Sequence, residues 1–366
     1  MSDSMTLSRI ATAPADLRSK LEAIVGAEHV TSDEATLRLF SEDIWSRADH
    51  CVMLSVAPAN TAELAAVVSA ANDAGVDIAP RGAGMSYTSS YTPATDSTIT
   101  LDMRRMDRVL RVSPEDMTVT VEAGCTWLAL NEALKPHGLR TPFWGPMSGI
   151  YSTIGGGLSQ LNAMFGAGHY GTSSESVVAI TMVLADGRTL RTGARGPDGD
   201  TPHYRHYGPD LAGLFMGDSG TLGIKAEITL RLIRNPAFED SVSFSFKTGE
   251  IMLEALAEMT RAGIASETCG FDPGLTKVRM KRMSMASDVK TLGNFIPEEE
   301  YPLHITAEGR CKEAVAADIA TAREIAARFE GVEIENSIAK VIRAMPFPAP
   351  NSILGPEGES WAPVHG

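Results

Sequence analysis

Residues 210–232 read DLAGLFMGDSGTLGIKAEITLRL, and the two halves of this stretch obey different rules. From Ile224 onward the chain alternates. Ile224, Ala226, Ile228, Leu230 and Leu232 share one side, and Lys225, Glu227, Thr229 and Arg231 share the other. A period of two predicts a half-buried strand. The seven residues before it, 217–223, contain three glycines. A backbone without Cβ atoms lets another group come close. A glycine-rich loop running straight into a strand is therefore the first candidate binding feature.

Two loops of the same kind lie upstream. Arg81-Gly82-Ala83-Gly84-Met85-Ser86-Tyr87 follows a short strand predicted over 76–79 and ended at Pro80. Ser152-Thr153-Ile154-Gly155-Gly156-Gly157 follows the Pro/Gly-rich segment 141–146. In the first of these, successive amides can converge on an anion, and Ser86 adds a hydroxyl donor. It is not GxGxxG, because no third glycine follows in place, and it is not a Walker A loop, because no Lys-Ser/Thr pair closes it. Neither a nicotinamide Rossmann site nor a P-loop hydrolase is favoured. One such loop is more simply a tight turn. Three of them in one α/β region, each at a strand end or ahead of a helix, point to one large cofactor.

The elements between the loops follow from periodicity. Leu17, Leu21, Ile24 and Val25 predict a helix, and Leu37 and Phe40 with Ile44 a second. Strands are expected over 52–56, 98–102 and 118–124, and a helix over 127–135. Asn60-Thr61-Ala62-Glu63 is a capping box opening a helix with Leu64, Val67, Val68 and Ala71 on one face and Gly75 at its end. Residues 177–192 predict a hairpin turning at Asp186-Gly187. After Pro236 the composition shifts: strand 242–246, helix 251–262, strand 303–309 and helix 312–329 suggest a separate α+β domain. The expected organisation is a helical extension over 1–46, a cofactor domain over 47–235 and a second domain over 236–366. The last residues, 359–366, read as the start of a strand, so the second domain is expected to be incomplete at its C-terminus.

Bulk properties narrow the class. The 366 residues are 43% hydrophobic and 21% charged, with a formal net charge of -14. That is ordinary for a soluble globular protein, and the sign argues against nucleic acid as a partner. The N-terminus lacks an apolar core, so no signal peptide is expected, and no apolar run is long enough to span a membrane. A cytoplasmic location fits. Cys51, Cys125, Cys269 and Cys311 form no CxxC and are expected to be buried, reduced thiols.

The loops Arg81 to Ser86, Ser152 to Gly156, and Asp210 to Phe215 through Gly220-Thr221-Leu222-Gly223-Ile224 resemble, in order and spacing, those of the vanillyl-alcohol oxidase/p-cresol methylhydroxylase family of FAD-binding oxidoreductases, which includes the D-lactate dehydrogenase and glycolate oxidase FAD subunits. The resemblance covers residues 50–235. It implies an α+β chain: a two-part FAD-binding domain of the p-cresol methylhydroxylase type followed by a second α+β substrate domain. It implies that Arg81, Gly82, Ala83, Gly84, Met85, Ser86 and Tyr87 wrap the FAD pyrophosphate. Pro146, Ser152, Thr153, Gly155 and Gly156 would run along the ribityl chain and isoalloxazine, Gly166 and Tyr170 would complete that wall, with Gly168, His169 and Gly171 beside them, and Gly223 and Ile224 would meet the adenine end. Two departures bear on covalent attachment: the first loop carries Met85 and Ser86 where some relatives have a tethering histidine, and residues 157–171 hold no cysteine. The metal-binding histidine set of some hydroxy-acid relatives is absent as well, so no metal is expected.

The reaction implied is hydride transfer from a CH–OH substrate to the flavin, with a 2-hydroxy acid and a phenolic or benzylic alcohol both open. Oxygen, a quinone, a cytochrome or a partner flavoprotein could take the electrons, and a homo-oligomer is open. The alternatives are a catalytically incomplete flavin-binding subunit or truncated product that needs a partner, and a phosphate- or nucleotide-binding α/β protein without flavin. No catalytic base is assigned. His169 and Tyr170 are candidates, although a structural hydrogen bond is the plainer reading of the histidine. His203 and His206 have metal-pair spacing but sit in a polar loop without a third ligand. Arg279 and Arg282, in a basic cluster with Lys277 and Lys281, and Arg310 are candidate partners for a substrate carboxylate, with Arg343 behind them.

Overall fold

The computed structural model describes residues 10–195, 202–206, 208–274, 300–336, 339–340, 343 and 347. The chain divides into two compact units. The first comprises Met1–His137, Gly149–Asn162 and Ser176–Leu232, and the second Gly138–Ser148, Ala163–Glu175 and Ile233–Gly366. Two segments expected in the cofactor domain, 138–148 and 163–175, thus group with the second unit.

Two larger sheets and a two-stranded ribbon, Ala194–Arg195 with Pro202–Tyr204, make up the described strands of the first unit. In the smaller of the two sheets, the order is Val30–Thr31, Leu54–Val56, Thr98–Asp102, Asp77–Arg81. The last three strands run parallel, and Val30–Thr31 pairs antiparallel with Leu54–Val56. The stretch expected as a separate extension therefore supplies an edge strand, and its helix Ala15–Val25 buries Leu17, Leu21 and Val25. The strand expected to stop at Pro80 runs through it to Arg81. It lies at the other edge of the sheet, where a proline costs no ladder hydrogen bond. Helix Thr61–Asp73 is capped as its sequence signals. Asn60 Oδ1 accepts from the Glu63 amide at 2.9 Å, and the Glu63 carboxylate reaches back to the Ala59 amide, also at 2.9 Å. Leu64, Val67, Val68 and Ala71 form its buried face.

The larger sheet is antiparallel, in the order Val109–Ser113, Thr118–Glu122, Ile224–Arg231, Val177–Val183, Thr189–Arg191. Its last two strands form the expected hairpin. The opening strand of the sequence, Ile224–Arg231, departs from simple alternation. Lys225 and Thr229 are buried along with the apolar side, Glu227 is half-buried, and only Arg231 is exposed. Helix Thr61–Asp73 contacts this strand, so its polar side chains find partners instead of water. The Thr61 hydroxyl donates to Glu227 Oε1 at 2.9 Å, and the Thr120 and Thr229 hydroxyls pair at 2.9 Å.

The second unit carries a four-stranded antiparallel sheet, Glu267–Gly270, Tyr301–Gly309, Phe238–Phe246, Val332–Ile334. Helices Gly249–Ala262 and Lys312–Arg328 pack on it around Phe244, Phe246, Leu303, Ile305, Met259 and Ile319. A two-residue strand, Leu139–Arg140, pairs with Ile233–Arg234 in the same unit. Cys51 and Cys125 are buried as expected, but Cys269 is half-buried and Cys311 is exposed, because Cys311 sits at the N-cap of a surface helix. Among the described residues no helix is long and apolar enough to cross a membrane.

Candidate cofactor site

The three loops meet inside the first unit. A Cβ on Gly82 would collide with the Thr153 hydroxyl, so the first loop lies directly on the second. Thr88 Oγ1 donates to Gln160 Oε1 at 3.0 Å, and Gln160 Nε2 donates to Ser90 Oγ at 2.8 Å. The third loop ties into the second through the amides of Gly217 and Ser219, which donate to the Leu158 and Ser159 carbonyls, each at 3.0 Å. A Cβ on Gly220 would sit 3.3 Å from Pro80, which brings the third loop back to the first.

A buried ion pair fixes this junction. Lys225 Nζ donates to Asp218 Oδ1 at 2.7 Å and to Ser159 Oγ at 2.9 Å. The two charged side chains are 3% and 1% exposed, so nearly the whole pair is out of water. Burial pulls the Lys225 pKa down, opposed by the Asp218 carboxylate. Ser159 closes helix Ile154–Ser159, so the pair joins the third loop to the end of the second. Sequence reading missed it, since Lys225 stood on the side of the strand expected to be wet.

Arg81 holds the first loop from behind. Its guanidinium lies over the rings of Phe40 at 5.0 Å and Tyr91 at 4.6 Å, and Nη1 donates to the Glu42 carbonyl at 3.0 Å. Burial lowers its pKa. Gly84 adopts φ +72°, and any Cβ there would strike this guanidinium. The sequence places Arg81 among the cofactor contacts, but the structure turns its side chain inward and leaves only its main chain available. The Tyr91 hydroxyl stands 2.8 Å from the carbonyls of both Gly84 and Ser86. Asp43, also missed from sequence, accepts from the amides of Ser46 at 2.6 Å, Ser89 at 2.7 Å and Trp45 at 2.8 Å. Burial would raise its pKa, yet these hydrogen bonds outweigh that and hold it below the ordinary carboxylate value.

The residues fit an anionic dinucleotide. Among the described residues, the amides of Gly82, Ala83, Gly84, Met85 and Ser86 donate to no protein acceptor, although these residues are half-buried. A row of unsatisfied N–H groups is an anion cradle. Asp218 Oδ2 is likewise buried without a partner and can accept from a ligand donor. The second loop is more selective than its three glycines suggest. Gly155 packs on Ala123, where a Cβ would sit 2.7 Å from the Ala123 Cβ, and Gly157 packs on Asn162. Only Gly156 is exposed, and its amide is held by Thr153 Oγ1 at 3.3 Å. Ser152 is half-buried, and its carbonyl accepts from the Trp127 amide at 3.3 Å. Ile224 buries its side chain, so it and Gly223 offer main chain alone. Tyr87 is 70% exposed at the rim.

Apart from His203 and His206, the remaining expected residues belong to the second unit. Pro146 is half-buried, and Gly166 is buried with φ +86°. His169 is exposed and meets the half-buried Tyr170 edge-on, with ring centroids 4.6 Å apart. Arg310 is exposed. Arg279 and Arg282, with Lys277 and Lys281, lie outside the described residues, as do the side chain of His203 and the segment 359–366; His206 is exposed. The arginine that the structure does bury here is Arg140, which no sequence pattern singled out. Its Nη2 donates to Glu308 Oε2 at 2.5 Å. Arg343 bonds the other oxygen of Glu308, and also Glu267 at 2.6 Å and Glu239 at 2.8 Å. Burial, then the neighbouring Arg343, pull the Arg140 pKa down to about 10, and burial raises that of Glu267.

With this geometry in hand, known proteins give the same answer. A family model described as an FAD binding domain matches residues 53–193. The glycolate oxidase subunit GlcD of Bacillus subtilis is 25% identical over 93% of this chain and 71% of its own length. The D-lactate dehydrogenase (cytochrome) 1 of Saccharomyces cerevisiae is 31% identical over 57% of this chain, and that of Arabidopsis thaliana 29% identical over 75%. The matches span only 34% and 46% of those two enzymes. Among solved structures, p-cresol methylhydroxylase with substrate bound has a TM-score of 0.75 at 16% identity, covering 91% of this chain and 68% of its own. The 4-ethylphenol oxidase of Gulosibacter chungangensis also scores 0.75, at 19% identity, covering 95% and 72%. These two likenesses establish the α+β fold. Family model, sequence relatives and fold agree: residues 53–193 match an FAD binding domain, the chain is similar in sequence to glycolate oxidase and D-lactate dehydrogenase subunits and in fold to p-cresol methylhydroxylase, and its cofactor is FAD.

Proposed function

We propose that this protein is an FAD-dependent dehydrogenase or oxidase acting on the CH–OH group of a small molecule. The observation that carries the reading is the meeting of three glycine loops around a row of free amides, two of the loops lying in the chain segment that matches an FAD binding domain. The amides of Gly82 to Ser86 would hold the pyrophosphate, exposed Gly156 would allow close approach, and the main chain of Gly223 and Ile224 would meet the adenine end. Bound FAD supplies a two-electron acceptor for a C–H bond, chemistry that no side chain here could provide. The protein's own part is to orient substrate, exclude water and hold the hydroxyl proton's acceptor, for which Tyr170 and His169 are the candidates.

Relatives named for glycolate and D-lactate support a 2-hydroxy acid, and fold neighbours named for p-cresol and 4-ethylphenol support a phenolic or benzylic alcohol. We place the enzyme in the cytoplasm, with oxygen, a quinone, a cytochrome or a partner flavoprotein as electron acceptor. The test is the visible spectrum of the purified protein, followed by anaerobic addition of both substrate classes. Flavin bands near ~375 and ~450 nm that bleach with a CH–OH compound support the reading. A colourless protein that takes up no added FAD overturns it.

A further inference from the structure

The second unit holds a buried cation whose donors are not used up. Arg140 is 6% exposed, and of its three guanidinium nitrogens only Nη2 has an acceptor. Nε and Nη1 are buried and have no hydrogen-bond partner among the described residues. Orphaned donors on a buried charge are costly and persist where something else serves them. Three neighbours define what that is. The Trp144 ring centroid lies 5.5 Å from the guanidinium carbon and that of Tyr170 5.9 Å from it. Phe165 extends the wall, its centroid 5.0 Å from that of Trp144. Trp144 and Phe165 are buried, while Tyr170 is half-buried and the adjoining Gly168 and His169 are exposed, so the cluster opens to the surface at that end.

The acids nearby are already engaged: Glu308 is shared between Arg140 and Arg343, and Glu267 pairs with Arg343 at 2.6 Å. The half-exposed Glu239 pairs with Arg343, on its Nε. A fork with free N–H groups, flanked by flat aromatic faces, suits a carboxylate on a planar apolar body.

We infer that Arg140, Trp144 and Tyr170 form an anion subsite that selects, among CH–OH substrates, a carboxylate carried on an aromatic or flat apolar group. This rests on the proposed oxidoreductase reading and narrows it. Arg140 donates to the carboxylate oxygens, Trp144 and Phe165 cover the body, and Tyr170 stands at the entrance. Exposed Arg310 has no part in it.

The test uses the FAD-loaded protein and two isosteric probes, benzoate and benzamide, with binding read from the flavin spectrum and from the thermal unfolding midpoint. Benzoate is expected to bind at least ~10-fold more tightly than benzamide and to compete with substrate. Arg140→Met is expected to bring the two probes to equal affinity while FAD stays bound, and Arg140→Lys to keep part of the preference. Equal binding of the probes by the wild-type protein overturns the inference, as does an unchanged preference in Arg140→Met. The wild-type comparison decides even if a variant fails to fold. A colourless protein whose midpoint still rises with benzoate and not benzamide would defeat the oxidoreductase reading and leave the anion subsite standing. A flavin that bleaches with neutral alcohols in a protein blind to benzoate would do the reverse.

Discussion

Arg81 in the first unit and Arg140 in the second are both buried guanidinium groups held against two aromatic rings. They are used in opposite ways. No nitrogen of Arg81 is among the buried donors left without a partner, and its charge stiffens the loop that carries the free amides. Lys225, the other buried cation among the described residues of the first unit, is likewise consumed by Asp218 and Ser159. Arg140 keeps two nitrogens unmet. In the first unit side chains are spent on shape and the backbone amides of the loop are left free. In the second the side chain itself is offered. A cofactor with a fixed, large outline rewards a rigid backbone cradle. A small substrate has few atoms to grip, and a charged fork gives it one strong contact.

The largest effect should come from Lys225→Met. It strands the Asp218 carboxylate in the interior, and losing one partner of a buried pair costs roughly 3–5 kcal/mol. Denaturant unfolding measures the loss, and adding Asp218→Asn should recover most of it. A cost below ~1 kcal/mol would mean that the pair is not the pin between the second and third loops. Next is the contrast between the two arginines. Arg81→Met removes a cation–π sandwich and leaves the Glu42 carbonyl unmet, for about 2–3 kcal/mol. Arg140→Met should cost less, about 1 kcal/mol, because Glu308 retains Arg343. Equal losses, or the reverse order, would break the comparison.

A smaller effect is one of pH. The Asp43 carboxylate has a folded pKa below its unfolded value, so its contribution is complete above the unfolded pKa of about 4. It is lost as pH falls through the folded value. The stability gap between the wild-type protein and Asp43→Asn should be flat from neutral to mildly acidic pH and close only below ~pH 4. A gap already closing at pH 6 would assign the effect to another group. Smallest of all, Arg310→Ala at its exposed site should change stability by no more than ~0.5 kcal/mol and leave the benzoate preference intact.

Much of the site could be read in advance, because it is local. The three loops carry their meaning in glycine spacing and in the strand or helix that follows, so 81–87, 152–157 and 217–223 were legible without contacts. The cap at Asn60, the hairpin turn at Asp186-Gly187 and the two helices after Pro236 were legible for the same reason. Misreadings arose where a neighbour distant in sequence decides the environment. Pro80 continues a strand because that strand is an edge. Gly155 and Gly157 serve their own chain, and only Gly156 faces outward.

By itself, then, the sequence determined the strands, helices and glycine loops, since period, capping and backbone freedom act within a few residues, and the resemblance those loops carry implied the cofactor class. The tertiary structure decided which side chains are committed and which are free. Arg81 beside a glycine loop and Arg140 beside a proline look alike as text. Only the packing of Phe40 and Tyr91 on one, and of Trp144, Tyr170 and Glu308 on the other, fixes what each guanidinium can still bind. Desolvation and hydrogen-bond satisfaction depend on everything that surrounds a group, and that is settled by residues far away along the chain.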